Sequence, residues 1–333
     1  MPTALAIPLF LVSLVVTLAA AAHFARTLDR LGVRVGLPEA LLGLLTAVAA
    51  DGPEITSAIV ALVKGAGTTS LGVVVGSNIF NLAAMIGLTA MLAGAVRLRR
   101  EALAVEATVG ILVTLAAAGV VLDVLPVGLA IGLLAVVLSP YLVLLARGPQ
   151  VARYLPFSEA IDRGLARALG EREHWGHHER VEEATVVALV AVMLPAVALV
   201  VLGSTGMVEA ALTLSDRWGL SRSLAGVLVL APLTSLPNAV TAARLGLADR
   251  GAALVSETLN SNTINLVAGV VVPALFVSVV SLTTEVKVDL AWLLAMTVTA
   301  VALLGRRAGC GRLGGSTLLV LYAGFVVFEI VRA

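Results

Sequence analysis

The sequence predicts an all-α polytopic membrane protein of ten transmembrane helices, in two inverted five-helix repeats whose second and seventh helices are broken. Three observations carry this: extreme apolarity, arginines concentrated in alternate connections, and a polar motif that recurs at one constant offset. Hydrophobic residues make up 59% of the 333, charged residues only 13%, and mean hydropathy is +1.05. Soluble domains run at roughly 45–50% apolar with glycine included and about 25% charged. A chain this apolar does not cover its own surface in water, which excludes a soluble enzyme and a disordered protein. A formal charge of +1 leaves no basic footprint for nucleic acid. The single cysteine, Cys310, makes no intrachain disulfide and has no metal-binding neighbours.

Each span needs about 20 mainly apolar residues. Ten stretches qualify, near 4–22, 36–63, 69–94, 102–122, 124–146, 184–204, 220–244, 251–277, 289–305 and 314–331. The first ends in Ala19 to Ala22, as a signal peptide does, but lacks a basic n-region, so it is read as a retained span. Gly52-Pro53 interrupts the second stretch, and Pro232 and Pro237 interrupt the seventh. The segment 147–183 is the one long polar connection and holds His174-Trp175-Gly176-His177-His178. His174 and His178 have a metal-compatible spacing but read as part of a solvated loop. Glu39, Glu101 and Glu106 lie near span starts and read as interfacial.

Ten spans predict that Lys and Arg fall on alternate connections. One set, including Arg26, Arg30, Arg34, Arg97, Arg99, Arg100 and the six arginines of 147–183, holds 17 of the 22. The other holds only Lys64, Arg217, Arg222, Lys287 and Arg332. Both termini therefore face outward from the plasma (inner) membrane, and 147–183 is cytoplasmic.

The broken spans repeat each other. The first copy reads Ala50-Asp51-Gly52-Pro53-Glu54 and continues to Gly76-Ser77-Asn78-Ile79-Phe80-Asn81-Leu82. The second reads Thr234-Ser235-Leu236-Pro237-Asn238 and continues to Asn260-Ser261-Asn262-Thr263-Ile264-Asn265-Leu266. Pro53 to Pro237, Ser77 to Ser261, Asn78 to Asn262 and Asn81 to Asn265 are all 184 apart. An odd number of spans, five, separates the copies, so they cross in opposite directions, the plan of many secondary transporters. Lone Ser and Asn in membrane helices usually serve packing. Two matched blocks behind proline breaks point instead to a midplane site.

At these residues the sequence resembles the cation/calcium exchanger superfamily, whose sodium/calcium exchangers carry two inverted alpha repeats with a G-[ST]-S-x-P-[ED] break and a G-S-N-x-x-N helix. The resemblance covers about 43–88 and 227–272 within halves 1–146 and 184–333, joined by 147–183. It implies that Glu54, Ser77 and Asn81 from the first repeat, and Thr234, Ser235, Ser261 and Asn265 from the second, hold Ca2+ and a counter-ion or support the groups that do. It also implies that spans one and six slide against the other eight. The chain departs from the pattern in three respects. Asp51, after Ala50, stands where the family has Ser; Asn238 stands where it has an acid; Val73 and Glu257 stand where it has asparagine.

Asp51, Glu54, Ser77, Asn81, Thr234, Ser235, Asn238, Ser261 and Asn265 are all oxygen donors, with Asn78, Glu257 and Asn262 beside them as further candidates. Ca2+ takes six to eight oxygens at about 2.3–2.6 Å. The absence of thiol and imidazole from the set argues against zinc, copper or nickel. Intramembrane acids are costly, so Glu54 reads as functional. Asp51 reads as a site acid, or as a cap of the half-helix that begins at Pro53. Glu257 shares the helix face of Ser261 and Asn265, or is a solvated acid near the membrane surface. With Asp51 gained and Asn238 replacing an acid, both carboxylates come from the first repeat, and Asn238 becomes a neutral oxygen donor. The expected function is antiport of a cation, Ca2+ against Na+ or H+, without any resident cofactor. A monovalent-cation antiporter and a non-transporting ion sensor are the alternatives. An intramembrane hydrolase using the two acids leaves the second repeat unexplained.

Overall fold

The computed structural model describes residues 2–37, 45, 47–98, 100–147, 185–277 and 284–332. Glu39, His174, His178 and nearly all of the connection 147–183 lie outside them. Helix α1 spans Thr3–Arg34, α2 Gly52–Val63, α3 Gly67–Ala93, α4 Arg100–Val121 and α5 Val127–Arg147. Helix α6 spans Val186–Trp218, α7 Arg222–Leu247, α8 Gly251–Leu275, α9 Thr284–Leu304 and α10 Arg312–Arg332. Eight helices among the described residues are long and apolar enough to cross a membrane, and Gly52–Val63 and Val127–Ser139 are shorter apolar helices.

Two expected spans end much later than sequence apolarity suggests. Helix α1 runs on to Arg34, so Arg26 and Arg30 lie on helix rather than in a connection. Helix α6 continues to Trp218, where Gly219 in the left-handed region (φ 67°) stops it. Helix propensity does not fall where hydropathy does, since Arg and Ala are good helix formers in water. These two helices pack chiefly on each other. A Cβ at Gly203 would crowd Ser13 O and Thr17 N, at 3.0 and 3.1 Å, so the two backbones meet almost directly.

Helix α3 is the centre of the molecule. Its most apolar stretch is 89% buried, against 22% for α6. It crosses α7 at glycines: a Cβ on Gly76 would lie 2.8 Å from Val227 Cα, and one on Gly72 2.9 Å from Ser223 O. Each of α3, α7 and α8 contains a π-helical stretch, at Leu82–Leu88, Ala225–Leu230 and Val267–Val271. Such widened turns inside α-helices frequently accompany functional sites. No periodicity in the sequence announced them.

The helix ends gather into two groups. In one, strand β1 (Ala95–Val96) pairs antiparallel with strand β2 (Cys310–Gly311), and Gly251 lies against Arg97. These residues lie just before α4 and α10 and at the first residue of α8. In the other, Lys64 Nζ donates to Glu209 Oε2 at 3.2 Å and Thr69 Oγ1 donates to Arg222 O at 2.9 Å; separately, Arg332 Nη2 donates to Asp289 Oδ1 at 2.6 Å between α10 and α9.

Candidate cation site

Backbone chemistry places the site. Pro53 lacks an N–H, and helical hydrogen bonds flank the break on both sides: Asp51 N donates to Ala47 O at 3.0 Å and Ile55 N to Asp51 O at 3.1 Å. Asp51 is thereby fixed at the start of α2 with Glu54 in its first turn. In α7, Pro237 lies inside the helix and leaves a carbonyl one turn earlier without its usual donor, close to Thr234, Ser235 and Asn238. Asp51, Glu54, Ser77, Asn81, Thr234, Ser235, Asn238, Ser261 and Asn265 are each at most 4% exposed.

A hydrogen-bond network joins the two copies of the motif. Asn238 Nδ2 donates to Asp51 Oδ1 at 2.7 Å and to Glu54 Oε1 at 3.4 Å. Ser261 Oγ donates to the same Asp51 Oδ1 at 2.7 Å. Asn81 Nδ2 donates to Ser261 Oγ and to Asn262 Oδ1, both at 3.2 Å. Ser235 lies beside the Glu54 carboxyl. Asp51 makes no cap hydrogen bond with α2, so the capping alternative is overturned: its side chain is taken by donors from α7 and α8.

Other candidates, apart from Asn262, stand outside this network. Ser77 Oγ donates to Val74 O at 3.0 Å and Thr234 Oγ1 to Leu230 O at 2.9 Å, which orients each hydroxyl and leaves its oxygen lone pairs available. Asn78 Nδ2 donates to Asn262 O and Asn262 Nδ2 to Asn78 O, both at 3.1 Å. This reciprocal pair clamps α3 to α8 across the repeat symmetry. Glu257 is half-buried on α8, two turns before Asn265.

Several buried atoms at the site have no hydrogen-bond partner: Asp51 Oδ2, Glu54 Oε2, Asn81 Oδ1, and both Oδ1 and Nδ2 of Asn265. Buried polar atoms normally find partners, so unpaired oxygens on Asp51, Glu54 and Asn81, whose side chains share one hydrogen-bond network, mark a place suited to a cation or water. Ser57 lies one turn after Glu54 on the same helix. It is fully buried with an unpartnered Oγ, and the sequence reading missed it although an i, i+3 spacing from Glu54 marked it. Two carboxylates with amide and hydroxyl oxygens make a hard-cation donor set.

A family model described as sodium/calcium exchanger protein matches residues 5–147 and 188–331. The chain belongs to this exchanger family. Exchanger membership makes it a multi-pass membrane cation antiporter and not an enzyme. Among solved structures, native YfkE is similar at a TM-score of 0.63 and 16% identity, with 97% of this chain and 92% of that one covered. The sodium-calcium exchanger NCX_Mj soaked with 2.5 mM Na+ and 10 mM Sr2+ is similar at a TM-score of 0.57 and 20% identity, with 98% and 99% covered. The same protein soaked with 10 mM Na+ and no Ca2+ gives 0.58 and 20%, with the same coverage. At these identities the likeness establishes the fold. No curated protein matches this exchanger.

Proposed function

We propose that this protein exchanges Ca2+ for Na+ or H+ by alternating access at one midplane site. The observation that carries the proposal is the buried meeting of Asp51 and Glu54 with Asn238 and Ser261, joined by hydrogen bonds across the two motif copies. Asp51 and Glu54 supply formal charge −2, enough to balance one divalent ion. Asn81, Asn265, Ser77, Thr234, Ser235 and Ser261 supply neutral oxygens, and Asn238 completes the site between the carboxylates. Because two ions cannot share these oxygens, loading by one excludes the other, and the site crosses only when loaded.

Ten crossings in two inverted halves, 1–146 and 184–333, complete the reading. The motifs lie at about 43–88 and 227–272, the connection 147–183 is cytoplasmic, and both termini lie outside the plasma membrane. The two groups of helix ends support it, since the residues in each group follow spans of the same parity. The family model's two matched blocks fall on the two halves. The glycine-mediated contact between α1 and α6, whose most apolar stretches are only 33% and 22% buried, supports sliding of that pair.

Labelled Ca2+ uptake into proteoliposomes under imposed Na+, K+ or pH gradients tests the reading. Uptake driven by a Na+ or pH gradient and not by K+ is expected. Binding without flux under every gradient identifies a sensor; flux of Na+ against H+ without Ca2+ identifies a monovalent antiporter.

A further inference from the structure

Resting on the reading of this site as a Ca2+ site, we infer that Asn238 is a positioning residue and not a ligand: its amide nitrogen holds one oxygen of each carboxylate and leaves the other oxygen of each for the ion. Asn238 Nδ2 is 2.7 Å from Asp51 Oδ1 and 3.4 Å from Glu54 Oε1. The opposite carboxylate oxygens, Asp51 Oδ2 and Glu54 Oε2, are buried without partners. Ser261 Oγ, at 2.7 Å, takes a further position on Asp51 Oδ1, so that oxygen already accepts two hydrogen bonds. The unpaired pair, Oδ2 and Oε2, is where negative charge remains unmatched.

The chemistry of the amide agrees. A carboxamide between two carboxylates turns its NH2 toward them, since its oxygen would face like partial charge. Rotating Asn238 to present Oδ1 to an ion would strip both carboxylates of this donor. With α7 fixing the backbone, the amide restrains the Asp51 and Glu54 rotamers from the second repeat, although both acids belong to the first. Sequence reading treats Asn238 as a neutral oxygen donor replacing a lost acid; the geometry points to an N–H donor that orients the remaining acids.

The experiment measures Ca2+ affinity of the purified full-length protein together with the number of inner-sphere waters on bound Tb3+, from luminescence lifetimes in H2O and D2O. Asn238→Ala should weaken Ca2+ binding roughly tenfold, the scale of one charge-assisted hydrogen bond, with the Tb3+ hydration number unchanged. Asn238→Ser, which keeps one hydroxyl donor, should bind with intermediate affinity and the same hydration; it carries the test if Asn238→Ala does not fold. A gain of one inner-sphere water in either variant makes Asn238 a ligand and overturns the inference. Unchanged affinity overturns it as well. Wild-type protein that binds neither Ca2+ nor Tb3+ refutes the Ca2+ reading itself, a result distinct from either variant outcome.

Discussion

Two acids three residues apart on one half-helix, with none from the other repeat, make a lopsided site, and its consequences are sharpest at Glu54. Glu54→Gln keeps volume and removes half of the charge that compensates a desolvated divalent ion. Ca2+ transport should fall roughly a hundredfold or more, while membrane insertion and monodispersity survive; near-normal exchange removes Glu54 from the site. Repeat symmetry relates Asp51 to Ser235 and Glu54 to Asn238, so the missing acid can be returned to its symmetric place. Asp51→Ser with Asn238→Glu should retain more Ca2+ transport than Asp51→Ser alone, measured in the same vesicles. Normal transport by Asp51→Ser, unaltered by adding Asn238→Glu, means that no charge was relocated. The residues of this site were legible because constant spacing survives divergence: Asp51, Glu54, Asn81, Asn238 and Ser261 do converge. Their division of labour was not legible. Residue type does not tell whether an amide offers nitrogen or oxygen, nor that Asn78 and Asn262 spend their side chains on each other's backbone.

The all-helical character follows from hydropathy, and the helix ends depart from it where hydropathy and helix part. Hydropathy measures the bilayer, so it ended α1 and α6 early, whereas their hydrogen-bonded backbones continue into polar sequence. The π-helical stretches of α3, α7 and α8 were invisible because one extra residue in a turn leaves no mark in composition. A second polar cluster also escaped notice, because Asp289 and Glu329 are single acids in otherwise apolar spans. Arg332 Nη2 donates to Asp289 Oδ1 and to Glu329 Oε2, both at 2.6 Å, and its guanidinium lies 5.2 Å from the centre of the Phe328 ring. The two acids are at most 3% exposed, so the arginine is their main compensation at the joined ends of α9 and α10. Arg332→Ala leaves two buried carboxylates unmatched and should destabilise the protein by about 3–5 kcal/mol, read as a lower midpoint in thermal unfolding in detergent. An unchanged midpoint shows that water already serves these acids.

At the scale of the whole molecule, the arginine count and the contacts between helix ends both agree with the two faces of the ten-span reading that we propose. The arginine-rich connections before α4, α8 and α10 meet through β1, β2 and the contact of Gly251 with Arg97. The arginine-poor ends meet through Lys64 with Glu209 and Thr69 with Arg222. An error of one span between the third and the ninth would put members of one contacting group on opposite sides of the bilayer. These contacts support the parity of the ten-span reading that we propose, and the choice of cytoplasmic face rests on the excess of positive charge. The sole cysteine allows a clean test. Burial, the larger influence, pushes the Cys310 thiol up to about 11 although Arg306 nearby acts the other way. Below that pH the residue stays a buried thiol, so a thiolate-directed maleimide should leave the native protein unlabelled at neutral pH. Cysteines introduced one at a time at Thr3, at Arg163 and after Ala333 can then be probed with a membrane-impermeant maleimide on intact cells. Those at Thr3 and after Ala333 should label from outside, and that at Arg163 only after the membrane is opened. Termini that label on opposite sides would mean an odd number of crossings and would overturn the ten-span reading. The inverted relation of the two motif copies would then survive only if the miscounted span lies outside the five that separate them.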